Sequence, residues 1–411
     1  MTMGGPGVKV LYITYDGLTD PLGRSQILPY LIGLAGIGHQ ITILSCEKPR
    51  QLETDGSRIA RLCQQAGLNW HPLNYHKRPP ILSAAFDAAA LHYAAFSLHR
   101  LNRFEIVHCR SYIAARTGLA LKRRFGAKLL FDMRGFWPDE KVEGNNWPLG
   151  NPVYRAVYRY FKRLETRLLR ESDQIVNLTE TGRAQLLSRP ELAHAPAPVT
   201  VIPCCVDFDH FPLATGGRQA ARNRLGLAAD EHVLAYLGSL GSWYMLDEML
   251  DFFDSYASRR GTARFLFITQ DEPQSIRDAA AAREIDQDRL IIVAATRDEV
   301  PELMAAADLG IFFIRPVFSK IASSPTKMGE MLAAGLPVVA NAGVGDVEQM
   351  IAETGCGVVV REFTPAAYAD ALDRLDERDG DASDRRRRAL PLFDIRLGIE
   401  RYDRIYRELL A

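Results

Sequence analysis

At 411 residues the chain exceeds what one hydrophobic core usually organises, so two domains are the natural expectation. A hydrophobic content of 47% and a charged content of 24% are those of a soluble globular protein, and a formal net charge of zero excludes a global field for nucleic acid or membrane. Six cysteines, none at CxxC spacing and most in or beside apolar runs, fit reduced, buried thiols of a cytosolic protein better than a disulfide scaffold or a zinc site. The opening MTMGGPGVKV lacks a signal-peptide pattern, and no apolar run reaches the ~18 residues that span a bilayer. Any work at a membrane is therefore expected from its surface.

In chain order, Lys9–Tyr15 (KVLYITY) reads as a strand, followed by a loop from Asp16 to Gly23 containing Gly17 and Gly23. A helix over Ser25–Ile37 and a strand at Gln40–Ser45 complete the opening unit of a doubly wound parallel sheet. The loop is not a GxGxxG fingerprint. Its glycines either admit a ligand close to the backbone or only make the turn. A mostly apolar helix over Ile81–Asn102 follows, then a strand at Glu105–Cys109, a helix at Tyr112–Arg124 and a strand at Lys128–Met133. The stretch Asp132–Trp147 (DMRGFWPDEKVEGNNW) is charged and aromatic and follows a strand's carboxyl end, where ligands bind in open α/β sheets. The alternative is a solvated loop pinned by Trp137 and Trp147. Tyr154–Arg170 is a helix with six basic residues interleaved with tyrosines. It fits peripheral contact with anionic lipid, or simply an apolar side on the sheet and a basic side in water.

Strands at Gln174–Thr179 and Val199–Ile202 close the first half, and the proline-punctuated segment from Glu191 to Phe211 reads as a junction. The β/α alternation then starts afresh, with strands at His232–Ser239, Arg264–Thr269, Leu290–Ala295, Leu309–Ile314, Leu336–Asn341 and Cys356–Val360. Two such halves imply two Rossmann-like domains facing a cleft. Arg385–Arg388 reads as a solvated run of charge, and Leu397–Leu410 as an amphipathic helix whose Ile399, Tyr402, Ile405 and Tyr406 need cover from the first domain.

The stretch SSPTKMGEMLAAGLPVVAN (323–341) reads as a capped helix entering a buried strand. Ser324 suits the N-cap, Pro325 the first helical position and Gly335 the left-handed cap at the end. A helix tip attracts phosphate, Lys327 adds charge in the first turn, and Glu330 lies roughly 5 Å further along the axis, a spacing that suits a ribose hydroxyl. The plainer reading is a helix cap and a surface ion pair between Lys327 and Glu330. No GxSxG, P-loop, HExxH or EF-hand pattern is present, and the nine histidines show no ligand spacing, so no metal site is expected. His108 ends a strand near the presumed site, with a hydrogen-bonded structural role as its alternative.

Several stretches together resemble the family-4 (group 1) retaining glycosyltransferases. They are KVLYITYDGLTDPLGRSQILPYL (9–31), VIPCCVDFDHF (201–211), YLGSLGSWYMLDEML (236–250), DEVPELMAAADLGIFF (298–313) and GEMLAAGLPVVAN (329–341). The resemblance covers nearly the whole chain and implies the GT-B fold. A first domain over 1–200 would take the acceptor and a second over 201–390 the nucleotide-sugar donor. A final helix over 391–411 would pack back on the first. Departures from the pattern are clear: Ala322 stands where the first of two glutamates would fall, Glu330 matching the second. Gly238 is followed by Ser239, Leu240, Gly241 and Ser242, without the usual Arg and Lys, and Arg134 stands where a histidine is often found.

The resemblance implies a donor site of Gly238, Ser239, Ser242, Ser323, Ser324, Thr326, Lys327 and Glu330, with Lys320 or Arg315 as further charge. It implies acceptor contacts at Asp16, Gly17, Gly23, Arg24 and Asp139, and catalytic roles for Asp132, Arg134 and Lys327. The expected activity is transfer of a sugar from a UDP- or GDP-sugar to a saccharide or lipid-linked saccharide. It would proceed with retention and without metal or other cofactor, closure about a hinge near Pro203 completing the site. No nucleic-acid partner is expected. The implied location is the cytoplasm, peripheral to the inner membrane face, in polysaccharide or cell-envelope synthesis. Alternatives are a sugar-nucleotide epimerase of the same architecture and a non-catalytic nucleotide-binding protein.

Overall fold

A computed structural model describes residues 7–192, 197–213, 217–378 and 380–411, so the centre of the proline-rich junction, 193–196, and the first six residues lie outside the described residues. The chain divides into two compact units, Met1–Pro203 with Ile395–Ala411, and Cys204–Asp394.

The first unit is built on seven parallel strands: β1 (Lys9–Thr14), β2 (Gln40–Glu47), β3 (Asn69–Asn74), β4 (Ile106–Arg110), β5 (Lys128–Asp132), β6 (Gln174–Asn177) and β7 (Val199–Val201). Their order is β3-β2-β1-β4-β5-β6-β7. Val10 pairs with Ile41 on one side and Ile106 on the other, so the order reverses between β1 and β4. Ligands of doubly wound sheets sit outside that reversal, at the strands' carboxyl ends. The central strands are apolar almost throughout because helices cover both faces. The final helix, Ile395–Glu408, belongs to this unit and buries Tyr402, Ile405 and Tyr406.

The second unit repeats the plan with six parallel strands: β8 (His232–Leu237), β9 (Ala263–Ile268), β10 (Leu290–Val293), β11 (Leu309–Phe312), β12 (Val338–Asn341) and β13 (Gly357–Val360). The order β10-β9-β8-β11-β12-β13 reverses between β8 and β11. Asn341 fixes the exit of β11, its side chain accepting from the Ile314 amide at 2.7 Å and donating to the Ile314 carbonyl at 2.8 Å.

Several local expectations are corrected. The helix Pro49–Gln65 and strand β3 carry no apolar run: β3 (NWHPLN) is a largely exposed edge strand, the one place that tolerates Pro72. The helix expected over Ser25–Ile37 is two helices, Pro21–Gln26 and Leu28–Gly36, parted where Pro29 removes a backbone donor. The helix Pro80–Asn102 does have the length and composition of a membrane-crossing segment, contrary to the sequence expectation. It nevertheless buries Asp87, which accepts from the Tyr15 hydroxyl at 3.1 Å and the His76 amide at 2.8 Å, so it is a helix of the folded unit. The arginine run lies in the helix Ala382–Phe393 and is only partly solvated. Arg386 donates to the carbonyls of Phe208, Phe211 and Ala333, and Arg385 to that of Gly335 at 2.8 Å.

Candidate active site

In the first unit the strand ends gather a charged cluster. Asp132 closes β5 and is almost wholly buried, with the His108 Nε2 at 3.7 Å and the Arg110 and Arg134 guanidinium nitrogens each at 3.8 Å. The Tyr402 hydroxyl donates to it at 3.2 Å. Burial opposes ionisation of Asp132, but the Arg134 charge, aided by His108 and Arg110, holds its carboxyl below the ordinary value. His108 is structural: its Nδ1 lies 2.7 Å from the Tyr406 hydroxyl, and burial lowers its pKa, keeping it neutral. Arg134 holds φ at +58° and Ser111, beside Arg110, φ at +65°. Such left-handed backbone is costly for residues with a side chain, and it turns the chain sharply at both strand ends.

The glycine loop is organised by a residue outside the expected set. Glu47, at the end of β2, is fully buried and accepts from the amides of Leu18 at 2.7 Å and Thr19 at 3.0 Å. It also accepts from the hydroxyls of Thr19 at 2.6 Å and Ser45 at 2.5 Å. A Cβ on Gly17 would stand 2.6 Å from Glu47 Oε2, and one on Gly23 only 2.1 Å from the Gly17 carbonyl oxygen. Close packing within the loop thus requires both glycines.

In the second unit the centre is Lys327. The helix Thr326–Ala333 starts after Pro325, with no side-chain cap. Ser324 is therefore not the N-cap; its hydroxyl accepts from the Cys204 amide at 3.1 Å and anchors the junction. Pro325 occupies the N-cap position itself, and Gly335 takes the left-handed conformation expected of it, φ +78°. The surface ion pair of Lys327 with Glu330 does not form. Lys327 is buried, its Nζ 2.6 Å from the Tyr236 hydroxyl, 3.9 Å from the centre of the Tyr236 ring and 3.3 Å from that of Tyr244. Burial drives its pKa well below the ordinary lysine value, against the raising effects of Glu330 and Asp271. Glu330 pairs instead with Arg297, which follows β10 and also lies over the Phe211 ring, 5.6 Å from its centre.

Gly238 follows β8 with φ +98°, and a Cβ there would come within 3.7 Å of Lys327 Nζ. Ser239 donates to Asp271 at 2.9 Å, and Ser242 is exposed in the next turn. Lys320 lies 3.8 Å from the centre of the Trp243 ring and Arg315 5.9 Å from it. The hydroxyls of Ser323 and Thr326 are partly exposed beside the helix start, whose first amides have no intrahelical partner. Gly238, Lys327 and the helix start thus come together.

Other expected residues have structural employment. Asp132 is buried among Arg110, Arg134 and Tyr402. Asp139 is buried in the helix Trp137–Glu143, which replaces the expected loop. Its carboxylate is taken by Tyr158 at 2.8 Å and Lys162 at 2.9 Å. Arg24 donates to the Thr19 carbonyl at 3.0 Å and pairs with Asp55 at 2.6 Å. Asp16 is the exposed member, 3.3 Å from Arg110 Nε. Sequence reading missed Arg110, Glu47, Tyr236, Tyr244, Asp271 and Arg297. For all but Tyr244 the available signal was their place at or just after the carboxyl ends of apolar strands. Among the described residues, no group of three or more His, Cys, Asp or Glu side chains is placed to hold a metal ion.

Two parallel sheets with the same order reversal, each bearing a charged cluster outside it, define the GT-B class of fold. Residues 27–205 match the glycosyl transferase 4-like domain family, and residues 231–377 match glycosyl transferases group 1. The chain belongs to these family-4, group 1 glycosyltransferases. It is 26% identical over 344 residues to D-inositol 3-phosphate glycosyltransferase of Mycobacteroides abscessus, covering 82% of this chain and 71% of that one. It is 26% identical over 309 residues to the protein of the same name from Salinispora arenicola, covering 71% and 64%. Among solved structures it is similar to sucrose-phosphate synthase from Thermosynechococcus elongatus, with TM-score 0.71 and 16% identity over 98% of this chain and 99% of that one. It is also similar to Anabaena HepE in complex with UDP-glucose, with TM-score 0.67 and 16% identity over 98% and 99%.

Proposed function

We propose that the protein transfers a sugar from a nucleotide-sugar donor, a UDP-sugar before a GDP-sugar, to a saccharide or lipid-linked saccharide acceptor. The observation that carries this reading is the buried Lys327 beneath Gly238, beside an uncapped helix start. Such a start presents free amides and positive dipole to a diphosphate. UDP-glucose in the HepE complex supports UDP as the nucleotide of the donor. Glu330, steered by Arg297, takes a ribose hydroxyl. Ser323 and Thr326 donate to phosphate oxygens, which compensates for the absent Arg and Lys after Gly238. As the bond to the anomeric carbon breaks, charge grows on the leaving diphosphate, and preorganised donors lower the barrier most where charge develops. The arriving anion favours the charged form of Lys327, which takes its proton from solvent and supplies the strongest of them.

In the first unit, Arg110 and Arg134, held by Asp132, orient acceptor or sugar hydroxyls at the strand ends, with Asp16 at the exposed margin. Retention follows if the leaving phosphate accepts the acceptor's proton on the same face of the sugar, so no protein nucleophile and no metal is required. We place the reaction in the cytoplasm. The test is to incubate the protein with UDP- and GDP-sugars, with and without a membrane extract as acceptor source, and follow products by NMR. Nucleoside diphosphate released only with acceptor, and a product of unchanged anomeric configuration, supports the reading. Conversion of the nucleotide sugar without acceptor would show an epimerase, and no conversion in any arm a binding protein.

A further inference from the structure

We propose that the helices Pro80–Asn102 and Pro152–Glu171 form a docking face for an anionic lipid bilayer. The inference stands on these two helices and does not depend on the donor reading. The outward side of Pro80–Asn102 is apolar along its length: Leu82 is 70% exposed, Phe86 62%, Tyr93 76% and Leu101 82%. Ala85 and Ala89 fill the gaps, so the stripe recurs at helical spacing over roughly 28 Å at ~1.5 Å per residue. A soluble protein seldom leaves so long an apolar stripe uncovered.

Beside it runs an uncompensated basic row. Arg155, Arg159, Arg163 and Arg167 are exposed on Pro152–Glu171 at successive i, i+4 positions. Like charges at that spacing destabilise a helix. Among the described residues, Arg159, Arg163 and Arg167 have no acidic partner. The helix Ser111–Phe125 lies between the two, and a groove of about 660 Å³ joins all three, lined by His92, Arg116, Arg124, Tyr160, Arg163 and Arg167. Apolar side chains flanked by arginine and tyrosine match the layering of acyl chain and anionic headgroup. A second copy of the chain meeting the same face about a two-fold axis would set arginines against arginines, which disfavours a dimer there.

The test is flotation of the full-length protein with vesicles of phosphatidylcholine alone or containing phosphatidylglycerol. Binding to the anionic vesicles only, weakened by salt, is the expected result. Arg163→Glu with Arg167→Glu should reduce that binding by roughly tenfold or more. Phe86→Ser with Tyr93→Ser should reduce it while leaving the salt dependence in place. All these side chains are exposed, and unchanged melting temperatures would show that the variants fold. Absence of binding to anionic vesicles, or equal binding by wild type and both variants, overturns the proposal. So does a wild-type dimer that Phe86→Ser with Tyr93→Ser turns into a monomer, since a second copy would then cover the face.

Discussion

Lys327 and Tyr236 form the pair at the centre of the proposed donor site: the lysine Nζ lies 2.6 Å from the phenol oxygen, and among the described residues no carboxylate makes an ion pair with it. A buried lysine without a counter-ion is expensive in a resting fold. Its position beneath Gly238 and beside a helix start fits the proposed function, in which the substrate's diphosphate supplies the missing charge.

Replacing Lys327 by methionine should therefore separate function from stability. Transition-state stabilisation should fall by about 2–4 kcal/mol, read as kcat/KM for the nucleotide sugar. The fold should hold or gain stability, because a desolvated amine is replaced by an apolar chain of similar length. Thermal melting together with steady-state kinetics checks both.

The lowered pKa of Lys327 also has a sign that can be measured. Between its depressed value and the ordinary 10.5, the amine is neutral in the fold and charged in the unfolded chain. The unfolded state then binds more protons, so stability rises with pH across that window. The advantage of Lys327→Met over wild type should shrink as pH rises toward 10.5. Melts of both proteins over that range provide the check.

Glu330→Gln is expected to raise the donor KM with a smaller effect on kcat, by the ~1.5–3 kcal/mol of a hydrogen bond to a charged group. Arg297→Ala should act in the same direction, since it releases the carboxylate that it steers. A double-mutant cycle should show the two effects to be non-additive.

Asp132→Asn should destabilise the protein by about 3–5 kcal/mol in urea unfolding, because it leaves Arg110 and Arg134 without their central anion. The depressed pKa of Asp132 means that its contribution is present above the ordinary 3.8 and is lost as pH falls through the lower folded value. The variant should lack that part of the acid lability.

Glu47→Gln should loosen the glycine loop by about 1–3 kcal/mol, since an amide cannot accept from all four of the donors that converge there. If the loop contacts acceptor, acceptor KM rises while donor affinity is unchanged, which competition binding with the nucleotide can resolve.

Much of this architecture was legible in the sequence, because apolar runs between helical stretches mark buried parallel strands, as in KVLYIT and LPVVAN. The returning helix was legible from Tyr402, Ile405 and Tyr406 at helical spacing. The polar edge strand Asn69–Asn74 was not, since an edge needs no apolar run. The site was half legible. Lys327 and Glu330 stood out by type and spacing, but their partners Tyr236 and Arg297 are ninety-one and thirty-three positions away in the chain, and only the fold brings them near. The contacts of Asp139 with Tyr158 and Lys162 were not legible, because a carboxylate in a charged stretch looks the same whether it is free or paired.

The central claim, that Lys327 marks a nucleotide-diphosphate site, is tested most directly by a thermal-shift titration of wild type and Lys327→Met with UDP, UDP-glucose and their GDP counterparts. A ligand that binds only the folded state raises the melting temperature. The account predicts a rise for wild type with a diphosphate of one base and a markedly smaller rise for the variant. No rise with any of them, or an equal rise in both proteins, would contradict it.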